Sequence, residues 1–231
     1  MIFNDIKNLS IVCGHYGSGK TNFAVNLALH SKEQFPARAV RIADLDIVNP
    51  YFRTADDKEL LEKRGVFVSV PEYANSNIDI PALPPMLIHM FSSKEDISII
   101  DVGGDDGAVA LGMYRNNIEA SGYDMYYVIN MYRPLTDTPE SVYQCMLEIE
   151  ALSGLKCTKI INNSSLGAET TAEDIIDSVD YARECEKVCK IPLVAHTYCP
   201  AYAPDLREKI RGTKFEAEPF FEISDVTKKL F

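Results

Sequence analysis

The octapeptide Gly14-His15-Tyr16-Gly17-Ser18-Gly19-Lys20-Thr21 restricts the folds open to this chain more than any other stretch. It fits the pattern G-x-x-x-x-G-K-[ST], whose meaning depends on a strand before it and a helix after it. Leu9-Ser10-Ile11-Val12-Cys13 precedes it, short and β-branched as a buried strand is. Asn22-Phe23-Ala24-Val25-Asn26-Leu27-Ala28-Leu29 follows, with Phe23, Ala24 and Leu27 on one helical face. Glycines at such a turn let successive backbone N–H groups point inward, and the following helix aims its positive end at the same spot. Residues 14–22 are therefore the expected nucleotide-binding loop. Lys20 is expected to reach the β- and γ-phosphates, and the Thr21 hydroxyl to ligate Mg²⁺.

Around this loop, strand-like runs at 9–13, 38–44, 65–70, 97–101, 124–130, 157–162 and 192–197 alternate with helical patterns. The helical patterns cover about 20–33, 54–63, 82–92, 107–120, 138–152, 171–190 and 204–211. Such alternation predicts a doubly wound, mainly parallel β-sheet with helices on both faces, a three-layer α/β/α arrangement. Thr138-Pro139-Glu140 and Thr170-Thr171-Ala172-Glu173-Asp174 mark helix starts. A length of 231 residues suits one nucleotide-binding domain over 1–231. Pro71 to Pro85, rich in proline, is the longest expected loop.

Composition narrows the class of function. A charged fraction of 25% with 46% hydrophobic residues is that of a soluble globular protein. Neither a signal peptide nor a membrane span is visible, so a cytoplasmic location and no membrane partner are expected. A net charge of −11 opposes nucleic-acid binding. The basic group Arg207, Lys209, Arg211 and Lys214 reads as a solvated helix face.

Nucleotide sites in open parallel sheets lie at the carboxyl ends of the strands, so acids there carry most weight. Val40-Arg41-Ile42-Ala43-Asp44-Leu45-Asp46 and Ile99-Ile100-Asp101-Val102-Gly103-Gly104-Asp105 both end that way. Asp101 is the expected Mg²⁺ ligand, acting through water. Asp44 and Asp46 are further candidate metal-side carboxylates, expected to diverge so that only one faces the phosphates. Asp46 is the one favoured, orienting and polarising the attacking water.

A Walker loop near the N-terminus, D-x-D after the second strand and D-x-x-G-D after a later apolar strand together resemble the MinD/ParA/nitrogenase-iron-protein group of P-loop ATPases. The likeness spans about 8–200, leaving 201–231 as a C-terminal appendage. It implies that Asp46 assists hydrolysis, that Asp101 holds Mg²⁺ through water and that Asp101–Asp105 moves with the γ-phosphate. It also implies that an asparagine after a later strand, Asn162 or Asn163, reads the adenine of ATP. The group usually carries a lysine just after the first glycine, reaching across a nucleotide-dependent homodimer. This chain has His15 there and Tyr16 where glycine is usual. Histidine is not a fixed charge at neutral pH, and Arg53 is a candidate replacement.

The expected function is a Mg²⁺-dependent ATP-binding protein and slow ATPase, switching an unknown protein partner. The alternatives are a small-molecule kinase or ligase of dethiobiotin-synthetase or CobB type, and a sensor that binds nucleotide without turnover. Cys185 and Cys189, four apart on a helix, with Cys199 beyond, read either as soft-metal ligands or as buried reduced thiols, the latter favoured. His30, His89 and His196 lack ligand-like spacing and are expected to be structural. Ile223, Val226 and Leu230 are expected to dock against the sheet.

Overall fold

Strand β1 (Leu9–Cys13) is buried along its whole length, as a strand covered on both faces must be. Among the described residues it lies inside an eight-stranded sheet in which every ladder is parallel. The computed structural model describes residues 3, 5–45, 54–69 and 85–224. The other strands are β2 (Val40–Asp44), β3 (Val66–Ser69), β4 (Ile97–Asp101), β5 (Tyr123–Ile129), β6 (Lys159–Asn162), β7 (Leu193–Tyr198) and β8 (Phe220–Glu222). Their spatial order is β3-β2-β4-β1-β5-β6-β7-β8.

Parallel neighbours need long crossovers, and helices supply them. These are α1 (Lys20–Gln34), α2 (Thr54–Lys63), α3 (Pro85–Ser92), α4 (Gly104–Gly112), α5 (Arg115–Ser121), α6 (Pro139–Ser153), α7 (Ala172–Cys189) and α8 (Ala203–Ile210). Alternate residues of the strands serve the two faces. Ile11, Cys13, Ile100 and Tyr127 pack with Leu87, Leu111, Val142 and Cys185 of α3, α4, α6 and α7. Val12, Ile42, Ile99 and Val128 pack on the other side with Phe23 and Leu27 of α1. The doubly wound, three-layer α/β/α architecture expected from the alternation is the one present.

Both expected helix starts carry side-chain caps. Thr138 accepts from Ser141 N, with Pro139 in the first turn. Thr171 and Asp174 form a reciprocal capping box at α7. Two expectations need correction. The single helix over 107–120 is two, because α4 begins at Gly104 and stops at Gly112. A side chain at Gly112 would stand 3.0 Å from the Leu152 carbonyl of α6, so the chain closes in there and turns. Tyr114 then packs on Phe91, with ring centroids 5.8 Å apart. The segment after 201 is more than an appendage, since β8 pairs with β7. Phe221 of β8 meets Phe3 edge-on at 4.9 Å, and Ser224 exchanges two hydrogen bonds of 2.9 Å with Asn26 of α1.

Ile223 is buried there as expected; Val226 and Leu230 lie outside the described residues. The basic group on α8 and beyond is exposed, and Lys209 and Lys214 pair with Glu173 and Asp180 of α7. Among the described residues, no helix is long and apolar enough to cross a membrane.

Candidate functional site

β1 delivers the chain into the loop with Gly14 at φ +148°, Gly17 at +76° and Gly19 at +84°. L side chains rarely adopt these angles. Space forbids a side chain too. A Cβ at Gly14 would lie 2.3 Å from the carbonyl oxygen of Val128, near the carboxyl end of β5. A Cβ at Gly19 would lie 2.2 Å from Nδ2 of Asn163. The loop is thus pressed against the carboxyl ends of β5 and β6, and only glycine fits.

Ser18 N and the Lys20 ammonium both donate to the His15 carbonyl, each at 3.2 Å. Lys20 is buried, curled back over the loop from the first position of α1. The Ser18 hydroxyl is buried and has no hydrogen-bond partner among the described residues. His15 Nδ1 sits 3.1 Å from the Tyr16 carbonyl, while the Tyr16 ring is 79% exposed at the crown of the loop.

The two asparagines of β6 and its exit differ in what they hold. Asn163 Nδ2 donates to the Ser18 carbonyl at 2.7 Å, and Asn163 Oδ1 accepts from Thr197 Oγ1 at 2.5 Å. It therefore braces the phosphate loop against β7. Asn162 faces the interior. Its Oδ1 accepts from Ser164, and its Nδ2 donates to Ser178 Oγ at 2.8 Å and to His196 Nδ1 at 2.9 Å. The Ser164 contacts fix which amide atom is oxygen, so His196 carries its proton on Nε2, which donates to Glu218 at 3.2 Å.

Burial pulls the His196 pKa down to about 4 against the opposing pull of Glu218. Free histidine titrates near 6.5, so between those values the unfolded chain binds a proton that the native one refuses. Stability should be unaffected by this group above pH 6.5 and should fall as pH drops towards 4, by on the order of 2–3 kcal/mol. Urea midpoints of the wild type and His196→Gln across that range check it; parallel curves would show that His196 does not contribute.

The insertion of β4 between β1 and β2 sets the acidic side. Asp101 stands in register with Val12 of β1 and with Asp44 of β2. Residues in register across a parallel ladder share a face, and here it is the α1 face. Asp44 and the buried Asp101 thus lie on the side of the sheet where Lys20 and Thr21 open α1. The expected divergence of Asp44 from Asp46 is wrong in principle, because residues two apart in a strand share a face. β2 ends at Asp44, and Asp46 and Arg53 lie outside the described residues. Beyond the strands, Leu45 N donates to the Asp101 carbonyl at 2.8 Å. A Cβ at Gly107 would stand 3.1 Å from the Leu45 carbonyl and 2.9 Å from Val102, so α4 starts hard against the exit of β2.

Sequence reasoning did not single out Arg133 or Thr197. Arg133 follows β5 and donates from Nε to the Gly17 carbonyl at 3.2 Å. No motif marks it; the one sequence cue is that β5, like β6, exits through an asparagine. Cys185 and Cys189 are core residues, and burial raises their thiols to about 12 and about 11. Neutral thiols in an apolar layer match the buried reading.

Strand order, glycine-lined loop, lysine and strand-end aspartate together define the fold of P-loop nucleoside triphosphatases. No protein-family model matches the chain, and no curated protein matches it. Among solved structures it is similar to the signal recognition particle receptor FtsY from Elizabethkingia anophelis. That match has 18% identity over 80% of this chain and 56% of that one, with a TM-score of 0.47. FtsY from Mycoplasma mycoides matches at 15% identity over 82% and 60%, with a TM-score of 0.49. A nucleotide-binding protein from Archaeoglobus fulgidus, in complex with ADP, matches at 17% over 94% and 81%, with a TM-score of 0.42. The chain spans less than two thirds of the FtsY chains it matches.

Proposed function

We propose that the chain, as a single domain, binds ATP with Mg²⁺ and hydrolyses it slowly, as a nucleotide-controlled switch of MinD/ParA-like type. The observation that carries this reading is the loop 14–21. Gly14 and Gly19 admit no side chain, the lysine is folded inward and the loop encloses a buried Ser18 hydroxyl that has no hydrogen-bond partner among the described residues. A polyphosphate is the ligand such a cradle of amides and one ammonium suits. The hard oxygens of Thr21, Asp44 and Asp101 at its edge fit Mg²⁺, which when bound would neutralise charge on the phosphates. Asp46 aligns the attacking water. Asn163 serves the loop as a brace in this reading. Base reading by Asn162 or Asn163, expected from the resemblance, would require either amide to give up bonds it already makes. The preference for ATP, the partner and any nucleotide-dependent homodimer rest on the resemblance.

Phosphate release by the purified chain, followed beside calorimetric ATP and GTP titrations with Mg²⁺, tests the reading. Asp46→Ala is expected to bind nucleotide as the wild type does and to lose turnover by about 10²-fold or more, the usual scale for removing a positioned base. Normal hydrolysis by that variant would remove Asp46 from the mechanism. Tight binding with no product from the wild type would select the sensor instead, and turnover only with an added acceptor would select the kinase or ligase.

A further inference from the structure

The loop after β5 is built more firmly than a connection needs to be. The Asn130 side chain closes it at its base, with Oδ1 accepting from Tyr132 N at 3.0 Å and Ser165 N at 3.2 Å while Nδ2 donates to the Ser165 carbonyl. Thr136 Oγ1 donates back to the Asn130 carbonyl at 2.8 Å. From α7, Tyr181 reaches the Thr136 carbonyl, and Tyr132 donates to the Asp174 carbonyl at 2.8 Å. The product of this bracing is Arg133, an exposed arginine on a fixed platform. Its side chain lies over the Gly17 turn: a Cβ there would be 3.5 Å from Nε, 3.7 Å from Cδ and 3.9 Å from Cζ. Nε is spent on the Gly17 carbonyl, and both Nη groups remain without a partner among the described residues.

We propose that Arg133 is a second cationic ligand of the phosphate chain, presented over the crown of the loop while Lys20 acts from beneath. This rests on the reading that the loop binds nucleotide. Four points carry it beyond a surface arginine. A solvated arginine gains nothing from a rigid support, whereas a ligand-binding one does. The chain carries −11 net charge, so a polyanion approaching it depends on the few cations placed locally. A guanidinium is always charged and presents two parallel N–H donors to phosphate oxygens. The crown of the loop carries His15 and Tyr16, neither a fixed charge, so Arg133 adds from another strand a second fixed cation beside Lys20.

The test is titration of ADP, ATP and inorganic tripolyphosphate into the wild type, Arg133→Ala and Arg133→Lys at low and high salt. Arg133→Ala should weaken all three about tenfold at low salt, the scale of one charge-assisted contact. The gap should narrow at high salt, and Arg133→Lys should recover part of the loss as a point charge without the fork. Equal affinities in wild type and Arg133→Ala would overturn the proposal, as would a loss independent of salt and unrelieved by lysine, which marks a role in loop shape alone. A wild type that binds no nucleoside di- or triphosphate would instead remove the nucleotide reading itself.

Discussion

Lys20→Ala is expected to abolish measurable nucleotide binding while leaving the chain folded. Lys20 is the one loop residue whose side chain turns back across the turn it follows, its ammonium 3.2 Å from the His15 carbonyl. It is buried, so whatever anion enters the cradle meets a charge little screened by water. Charge-assisted hydrogen bonds contribute about 1.5–3 kcal/mol each. Two of them, to the β- and γ-phosphates, correspond to roughly a thousandfold in affinity. ATP should lose more than ADP, because only ATP offers the outer phosphate. Isothermal titration of both nucleotides, with a thermal melt as a check on folding, reads the result. Affinity within threefold of wild type would mean that the ammonium does not touch the ligand.

Gly14→Ala should be the most damaging single methyl group in the loop. The added carbon would sit 2.3 Å from the Val128 carbonyl oxygen, and β5 is held on one side by β1 and on the other by β6. Neither strand can retreat without breaking ladder bonds. The backbone at φ +148° adds strain for any L side chain. A loss of about 3 kcal/mol or more is expected, on the scale of overpacking a rigid core. For a domain of this size that is roughly 6–12 °C in Tm. Gly17→Ala is the control. Its methyl would meet only the side chain of Arg133, at 3.5 Å, so its cost is the left-handed backbone alone, about 1–2 kcal/mol. Equal melting temperatures for the two variants would show that β5 yields where the geometry says it cannot.

What could be read from the letters, and what could not, follows from the range of the forces involved. The β1–loop–α1 unit was legible because its signals are local: a β-branched run, glycines at fixed spacing and an apolar helical face. The caps at Thr138 and Thr171 were legible for the same reason, each being a contact between residues three apart. The three-residue β8 was not, since it is held by Phe3, Asn26 and β7 from distant parts of the chain. The break after Gly112 depends on how close α6 comes, which no local pattern encodes. In the candidate site, Lys20, Asp44 and Asp101 were singled out by position in a motif. That Asp44 and Asp101 stand side by side required the strand order, which alternation alone leaves open. Asn163 was singled out for reading a base, yet its side chain is occupied with Ser18 and Thr197, a pairing across β6 and β7. Arg133 belongs to no motif and becomes visible only when the loop crown is seen beneath it.

The contact of Gly107 with Leu45 bears on how a signal would leave this protein. The Leu45 amide holds Asp101, and the Leu45 carbonyl abuts the first turn of α4 with no room for one more carbon. That junction has no slack. A displacement of a few tenths of an ångström at either acidic strand end meets α4 directly, as a pushrod meets a valve. On the proposed reading, in which those strand ends hold Mg²⁺, a partner resting on the outer surface of that helix would feel the change without touching the nucleotide.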